Sequence, residues 1–200
     1  MDAARRAIAE ELLERSREHD AAQADRLARF RNVETDTAEL LAVLVLATRA
    51  KRILELGTSN GYSTIWLADA AQRGGGQVTS IDFDPERTAM AAANLERAGL
   101  DAELLSADAG QVLRDAPDGA WDLIFLDAER PAYAGYWPDL LRTLRPDGGL
   151  LAVDNVLSHA DEVAEFTALV EAEPSVSTCV VPCGAGLHLV VRGAPLVVAN

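Results

Sequence analysis

The chain has 200 residues, of which 49% are hydrophobic, and a formal net charge of −14 with a sequence pI near 4.5. This length fits one domain with a substantial core, and the hydrophobic content excludes a disordered chain. No apolar stretch approaches the ~20 residues of a membrane span, and the negative charge argues against nucleic acid as a partner. The N-terminal segment lacks the apolar core of a secretory signal, so we expect a cytoplasmic protein with no membrane partner.

The N-terminal quarter of the chain is predicted to be helical. Residues 2–30 have the apolar spacing of one or two amphipathic helices, and 35–48 predicts a leucine-rich helix opened by a threonine or aspartate cap. From Arg52 onward, strands alternate with helices. The predicted strands are 52–57, 77–82, 101–105, 121–127, 149–154, 176–182 and 186–192. The predicted helices of this part are 60–72, 85–98, 108–114, 132–144 and 160–172.

This alternation predicts an α/β fold in which a doubly wound, mostly parallel sheet of seven strands carries helices on both faces. The last two predicted strands are joined only by residues 183–186, which is too short for a parallel crossover, so we expect a C-terminal antiparallel hairpin. We predict a single domain over 1–200, with N-terminal helices in 1–50 and the sheet core in 51–200.

The strand ends carry a row of acidic residues. In open α/β sheets, ligands bind beyond the carboxyl ends of the strands. The residues at or shortly after the ends of the first five predicted strands should therefore line one crevice: Glu55, Gly57, Asp82, Asp108, Asp127, Asp154 and Asn155. A single terminal acid has structural explanations, whereas five acids along one edge indicate a site.

The segment ELGTSNGYS joins the first predicted strand to a helix. Its glycines, Gly57 and Gly61, allow a tight turn and a close approach to a ligand. The middle glycine of a dinucleotide fingerprint is missing, so a pyrophosphate has no obvious cradle. Asp82 is well placed for the two hydroxyls of a ribose. A ligand with an adenosine and an amino acid but no phosphate, S-adenosylmethionine, suits this arrangement.

Four segments resemble the metal-dependent O-methyltransferases of the catechol and caffeoyl-coenzyme A type. They are ILELGTSNGYST, SIDFDPE, DLIFLDAERPAY and GGLLAVDNVL, within a resemblance that runs from Asn32 to about Gly193. The resemblance implies a Rossmann-like methyltransferase fold and transfer of a methyl group from S-adenosylmethionine to a hydroxyl of a catechol-like small molecule. It also implies a homodimer, since members of this family are commonly dimers.

The resemblance also implies roles for individual residues. Asp127, Asp154 and Asn155 match positions that hold a divalent cation, magnesium or calcium. Asp82 is expected on the ribose, Ala109 beside the adenine, and Asp127 near the methionine amino group. The full set of expected cofactor-binding residues is Val33, Glu55, Gly57, Ser63, Asp82, Asp108, Ala109 and Asp127.

Arg130 departs from the family pattern, which has lysine there as the presumed general base. An arginine stays charged and cannot accept the proton. Lys51, the only lysine, precedes the first strand and should lie at the opposite edge of the sheet. His159 is a candidate base, and water is another. We expect Arg130 to stabilise a phenolate or to pair with a substrate carboxylate.

Arg130 and His159 can also be interpreted as residues with no role in catalysis. Arg130 can be interpreted as a surface ion pair with Glu129 or Glu34, and His159 as an exposed loop residue. Three alternative functions are also open. They are a metal-independent S-adenosylmethionine methyltransferase acting on another small nucleophile, an NAD-dependent or nucleotide-binding protein, and a non-catalytic relative.

Overall fold

The computed structural model describes residues 1–193, and the last seven residues of the predicted domain, 194–200, lie outside the described residues. Seven α-helices and seven strands are present in the described part. The helices are α1 (Ala3–Ala22), α2 (Thr35–Thr48), α3 (Tyr62–Gly74), α4 (Pro85–Ala98), α5 (Ala109–Asp115), α6 (Tyr133–Thr143) and α7 (Ala160–Glu171). The strands are β1 (Arg52–Leu56), β2 (Gln77–Asp82), β3 (Glu103–Ser106), β4 (Leu123–Leu126), β5 (Leu150–Val153), β6 (Val176–Val181) and β7 (Leu187–Arg192).

The strands form one sheet in the order β3-β2-β1-β4-β5-β7-β6. The first five strands are parallel, and β7 runs antiparallel to both β5 and β6. The predicted fold class, including the C-terminal hairpin, is confirmed. The strand order reverses between β1 and β4, which places a ligand crevice beyond their carboxyl ends.

The central strands are buried on both faces, as parallel strands covered by helices must be. All four residues of β4 and of β5 are buried. Helices α1 to α4 cover one face, around residues such as Ile53 and Phe125. Helices α5 to α7 cover the other face, around Leu54 and Ile124. The neighbouring residues of β1 and β4 thus alternate between two apolar cores, and this fixes the sheet between its helical layers.

The N-terminal helix is shorter than the apolar spacing predicted. It ends at Ala22, and residues 23–32 form no regular structure apart from a single 3-10 turn at Arg26–Ala28. The carboxylate of Asp20 accepts hydrogen bonds from the backbone N–H groups of Phe30 (2.7 Å) and Arg31 (2.8 Å). The Arg29 guanidinium binds the carbonyl oxygen of Gln23. These bonds hold the segment in a loop that a continued helix could not form.

Two strands begin two residues later than predicted, and β5 and β7 each begin one residue later. β3 starts at Glu103, where its pairing with Thr79 of β2 begins. β4 starts at Leu123 because the Asp122 side chain accepts hydrogen bonds from the backbone N–H groups of Lys51 (2.9 Å) and Arg52 (3.0 Å). Within residues 1–193, no helix is both long and apolar enough to cross a membrane.

Candidate active site

A cavity of about 540 Å³ lies beyond the carboxyl ends of β1, β2, β4 and β5. This volume is in the range of pockets that enclose small molecules and cofactors. The loop of residues 26–32 forms one wall. Of the predicted site residues, the cavity is lined by Gly57, Ser63, Asp82, Asp108, Ala109, Asp127, Arg130, Asp154, Asn155 and His159.

The glycine loop packs tightly against the end of β4. Gly57 has φ of +108°, and a Cβ at this position would lie 2.8 Å from the carbonyl carbon of Asp127. Only glycine satisfies both the left-handed backbone and this close approach. The loop amide of Ser59 donates to Asp82 Oδ2 (2.8 Å), and Asp84 N donates to Oδ1 (3.0 Å). Asp82 is thereby held at the cavity wall by backbone donors.

Glu55 lies behind this wall. Its carboxylate accepts hydrogen bonds from the hydroxyls of Ser63 (2.6 Å), Thr64 (2.5 Å) and Ser80 (2.5 Å). Burial raises the pKa of Glu55 to about 7, although these three hydroxyls act in the opposite direction. Neither Glu55 nor the buried Val33 lines the cavity. Glu55 instead fixes the side chain of Ser63, which does line it.

Asp108 and Ala109 open helix α5 at the far end of the cavity from the β5 tip. The Asp108 side chain caps this helix by accepting from Gln111 N (2.7 Å). Ala109 is the first helical residue, and its small side chain lies on the cavity wall. The fold thus brings both residues to the same cavity as Asp82, as the sequence predicts.

The tips of β4 and β5 bring two carboxylates and an amide together. Asn155 Nδ2 donates to Asp127 Oδ1 (2.9 Å) and to Asp154 Oδ2 (3.1 Å), with Asn155 in the left-handed conformation (φ +69°). Asp154 Oδ1 is buried without a hydrogen-bond partner among residues 1–193. Burial raises the pKa of both carboxyls, and the charge of Asp154 raises the pKa of Asp127 further.

These residues fit a divalent cation. Two buried carboxylates that repel each other, with one oxygen unpaired, lack a positive partner of the kind that a hard cation provides. A half-turn of the Asn155 amide would present its oxygen in place of its nitrogen. Residues 1–193 contain no grouping of three or more His, Cys, Asp or Glu suited to a metal ion. A cation here would therefore depend on the amide and on non-protein ligands beside the two carboxylates.

Arg130 is buried, with 4% of its surface exposed, and its Nε donates to Glu162 Oε2 (2.8 Å). The interpretation as a surface ion pair with Glu129 or Glu34 is wrong. Glu129 accepts a hydrogen bond from Arg31 (2.6 Å), and Glu34 accepts one from Arg17, which lies on α1. Within residues 1–193, Nε is the one Arg130 nitrogen that has a hydrogen-bond partner, so the guanidinium keeps free donors beside the cavity.

His159 immediately precedes α7 and is half-buried, whereas the non-catalytic interpretation expects an exposed loop residue. Its Nδ1 lies 2.8 Å from Ser158 Oγ, which in turn donates to the Asn155 carbonyl oxygen at 3.5 Å. Lys51 lies at the opposite edge of the sheet, as expected, where its backbone N–H binds Asp122.

Several cavity residues are not singled out by the sequence. They are Arg26, Arg29, Arg31, Phe83, Arg87 and Tyr136, none of which is among the predicted site residues. One signal points to three of them: the segment RLARFR places Arg26, Arg29 and Arg31 within six residues of a strongly acidic chain. Tyr133 and Trp137, in contrast, are buried and pack edge-on against Phe166.

The sheet with its reversed last strand and the cavity at its carboxyl edge define a Rossmann-like methyltransferase fold of the α/β class. The O-methyltransferase family profile matches residues 4–193, and the chain belongs to this family. The catechol O-methyltransferase of Niastella koreensis is 38% identical over 132 residues, which are 63% of this chain and 58% of that protein. The chain spans 58 to 64% of the length of the curated catechol O-methyltransferases that it matches.

Solved structures agree with this assignment. A putative O-methyltransferase from Klebsiella pneumoniae superposes with a TM-score of 0.78 at 31% identity, covering 94% of this chain and 90% of that one. The O-methyltransferase from Bacillus cereus, solved in complex with SAH, gives 0.74 at 28% identity, with 93% and 90% covered.

Proposed function

We propose that this chain transfers a methyl group from S-adenosylmethionine to a hydroxyl of a catechol-like small molecule that a divalent cation, magnesium or calcium, holds in the cavity. One observation carries the proposal: the unpaired Asp154 Oδ1 lies beside Asp127 in the cavity that also contains the glycine loop and Asp82. The names of the catechol O-methyltransferases that the chain matches support the same acceptor class.

The cofactor is assigned to the half of the cavity bordered by the glycine loop. Asp82, held by two backbone N–H groups, would accept hydrogen bonds from the ribose hydroxyls. Gly57 and Ser63 would border the methionine portion, and Asp108 and Ala109 the adenine. S-adenosylmethionine supplies an electrophilic methyl on a sulfonium sulfur. Its transfer to a hydroxyl oxygen gives a methyl ether, S-adenosylhomocysteine and a proton. Holding both reactants in one cavity accelerates the transfer through proximity and orientation.

Asp127, Asp154 and Asn155 would hold the cation. A divalent cation in such a position supplies positive charge that lowers the pKa of a coordinated hydroxyl. Arg130 would donate from its free guanidinium nitrogens to the acceptor oxygen as negative charge develops on it. A buried, preoriented donor of this kind is worth about 10²–10³ in rate.

His159 is our candidate for the group that receives the proton. We assign the short contact between Ser158 Oγ and His159 to an N–H on Nδ1, which leaves Ser158 Oγ to donate toward the Asn155 carbonyl. That tautomer leaves a lone pair on Nε2 to accept a proton. The geometry therefore supports separate roles for a permanent cation at Arg130 and a neutral base at His159.

The proposal is tested by mass-spectrometric detection of methyl transfer to a panel of catechols, with magnesium and with a chelator. Transfer that is lost on chelation and restored by magnesium is the expected result. Transfer that continues without metal would favour the metal-independent alternative, which the amide bridge from Asn155 to both carboxylates also supports. Binding of S-adenosylhomocysteine without methylation of any catechol would refute the acceptor class.

Three further expectations stay predictions. These are a homodimer, a cytoplasmic location, and the absence of nucleic-acid or membrane partners. Sedimentation of the purified chain with and without cofactor would decide the first of them.

A further inference from the structure

Six buried side-chain polar atoms in residues 1–193 have no hydrogen-bond partner, and two of them belong to residues that line the cavity. One is the acceptor Asp154 Oδ1, whose missing partner is a cation in the proposed function. The other is the donor Arg31 Nε. An unpaired buried donor is unfavourable, and a bound acceptor would remove that cost. The two orphaned atoms therefore indicate ligand groups of opposite charge.

Arg31 is held in place before any ligand binds. Its backbone is left-handed (φ +54°), and its N–H donates to Asp20 Oδ2 (2.8 Å). Its Nη2 donates to Glu129 Oε1 (2.6 Å). A strained backbone of this kind persists only where the surroundings enforce it. The side chain is thus preorganised, and binding to it loses little conformational entropy.

The wall around Arg31 carries an excess of positive charge. Four arginines contribute to it, with two glutamates as their carboxylate partners, Glu129 and Glu162. Arg29, one of the four, donates to the carbonyl of Gln23 and has no carboxylate partner among residues 1–193. The four arginines are Arg26, Arg29, Arg31 and Arg130. Two further charged residues of the cavity have partners of their own, since Arg87 pairs with Asp84 and Glu34 pairs with Arg17. An anionic group is favoured here, although the chain as a whole carries −14.

We propose that Arg31 is a specificity-determining residue that binds a carboxylate carried by the acceptor, so that the preferred acceptors are acidic catechols. This inference rests on the proposed function and narrows its substrate class. The carboxylate would accept from the free Nε–H of Arg31 in a charge-assisted hydrogen bond.

A carboxylate could also come from the methionine portion of the cofactor. The position of Arg31 favours the acceptor. Its ion pair is with Glu129, two residues beyond Asp127 and next to Arg130, whereas Ser63 and the glycine loop border the cofactor half.

The test compares 3,4-dihydroxybenzoate with the neutral 3,4-dihydroxybenzyl alcohol, using wild type, Arg31→Gln, Arg31→Lys and a control, Arg15→Gln. Arg15 is exposed on α1 and pairs with Glu11 away from the cavity. We expect wild type to prefer the acid, and Arg31→Gln to lose about 10- to 100-fold in kcat/KM for the acid while changing the neutral acceptor less than about threefold. Arg31→Lys should recover part of the loss, and Arg15→Gln should match wild type.

Equal losses on both acceptors would show a structural role and overturn the inference. Weaker binding of S-adenosylhomocysteine by Arg31→Gln, with acceptor preference unchanged, would assign the carboxylate to the cofactor and overturn it as well. Wild type that methylates the neutral catechol without preferring the acid refutes this inference and leaves the proposed function intact. Methylation of neither compound, with no binding of either by calorimetry in the presence of magnesium and S-adenosylhomocysteine, refutes both.

Discussion

Arg130 Nε lies 2.8 Å from Glu162 Oε2, so a buried cation at the end of β4 is anchored to the first turn of α7. Glu162 is itself 41% exposed, and a pair with an exposed partner adds little stability. The ion pair matters for orientation, because Glu162 occupies one edge of the guanidinium and the other Arg130 donors have no partner in the described part of the chain, residues 1–193. Arginine suits this position, since it stays charged when buried and presents donors in a rigid fork.

Replacement of Arg130 tests whether its charge stabilises the acceptor oxygen. Arg130→Gln should lower kcat by about 10²–10³ with a smaller change in KM, because the lost interaction forms in the transition state. Arg130→Lys keeps the charge and should stay within about tenfold of wild type. Steady-state kinetics over a range of pH would measure both. Wild-type rate and pH profile in both variants would remove any special role for Arg130.

Divalent-cation binding should be visible in stability as well as in activity. Asp154→Asn removes one of two buried, mutually repelling carboxylates, so the metal-free variant should melt above the metal-free wild type. Magnesium at about 100 times its Kd should stabilise wild type by about 2.7 kcal/mol and leave the variant nearly unchanged. Thermal melts with magnesium and with chelator would measure this.

Asp161→Asn is the matched control for the magnesium experiment, because Asp161 is an exposed acid on the first turn of α7. It should respond to magnesium as wild type does. An identical magnesium response in Asp154→Asn and wild type would contradict a cation site at the strand tips.

The sheet and the acids at its edge could be predicted from the sequence because both depend on local patterns. Apolar runs predict buried strands, and the residue after each run, such as Asp127 or Asp154, falls at the carboxyl edge by topology alone. The partner of Arg130 could not be predicted in this way. Glu162 is 32 residues away, on a helix whose placement depends on the whole sheet.

The loop of residues 26–32, which forms one wall of the cavity, could not be predicted from local sequence patterns for the same reason. The apolar spacing of residues 2–30 favours a helix, but the Asp20 carboxylate captures two backbone N–H groups ten and eleven residues further on. These tertiary hydrogen bonds overrode helix propensity, which is only a weak preference. The resulting loop positions Arg31, so the orphaned Nε became apparent only in three dimensions.

The ionisation of Glu55 should make the stability of the metal-free protein depend on pH. Burial raises its pKa to about 7, from about 4.5 in an unfolded chain, so between these values the folded state holds a proton that the unfolded state has released. The free energy of unfolding should therefore fall by roughly 3 kcal/mol as pH rises from about 4.5 through 7. Glu55→Gln should lack this decrease.

Urea denaturation at pH 5 and pH 8 would measure the Glu55 effect as the difference between wild type and variant. Other groups titrate over this range, so Glu14→Gln, at an exposed position on α1, serves as a control that should follow wild type. If wild type and Glu55→Gln lose stability in parallel, Glu55 does not change its charge in this range.

The contact of Gly57 with Asp127 couples the cofactor loop to the strand tip. In Gly57→Ala, the new Cβ would have to displace the Asp127 carbonyl while the residue stays left-handed, so either the loop or the end of β4 must move. Gly99→Ala is the matched control, since Gly99 is also left-handed (φ +61°) but, within the described residues 1–193, has no neighbour within 4 Å of the point that an alanine methyl would occupy. It should lose only about 1–2 kcal/mol of stability. Gly57→Ala should lose more stability than Gly99→Ala, and calorimetry should show S-adenosylhomocysteine binding weakened at least tenfold. Equal cofactor affinity in the two variants would show that the contact between Gly57 and Asp127 does not shape the site.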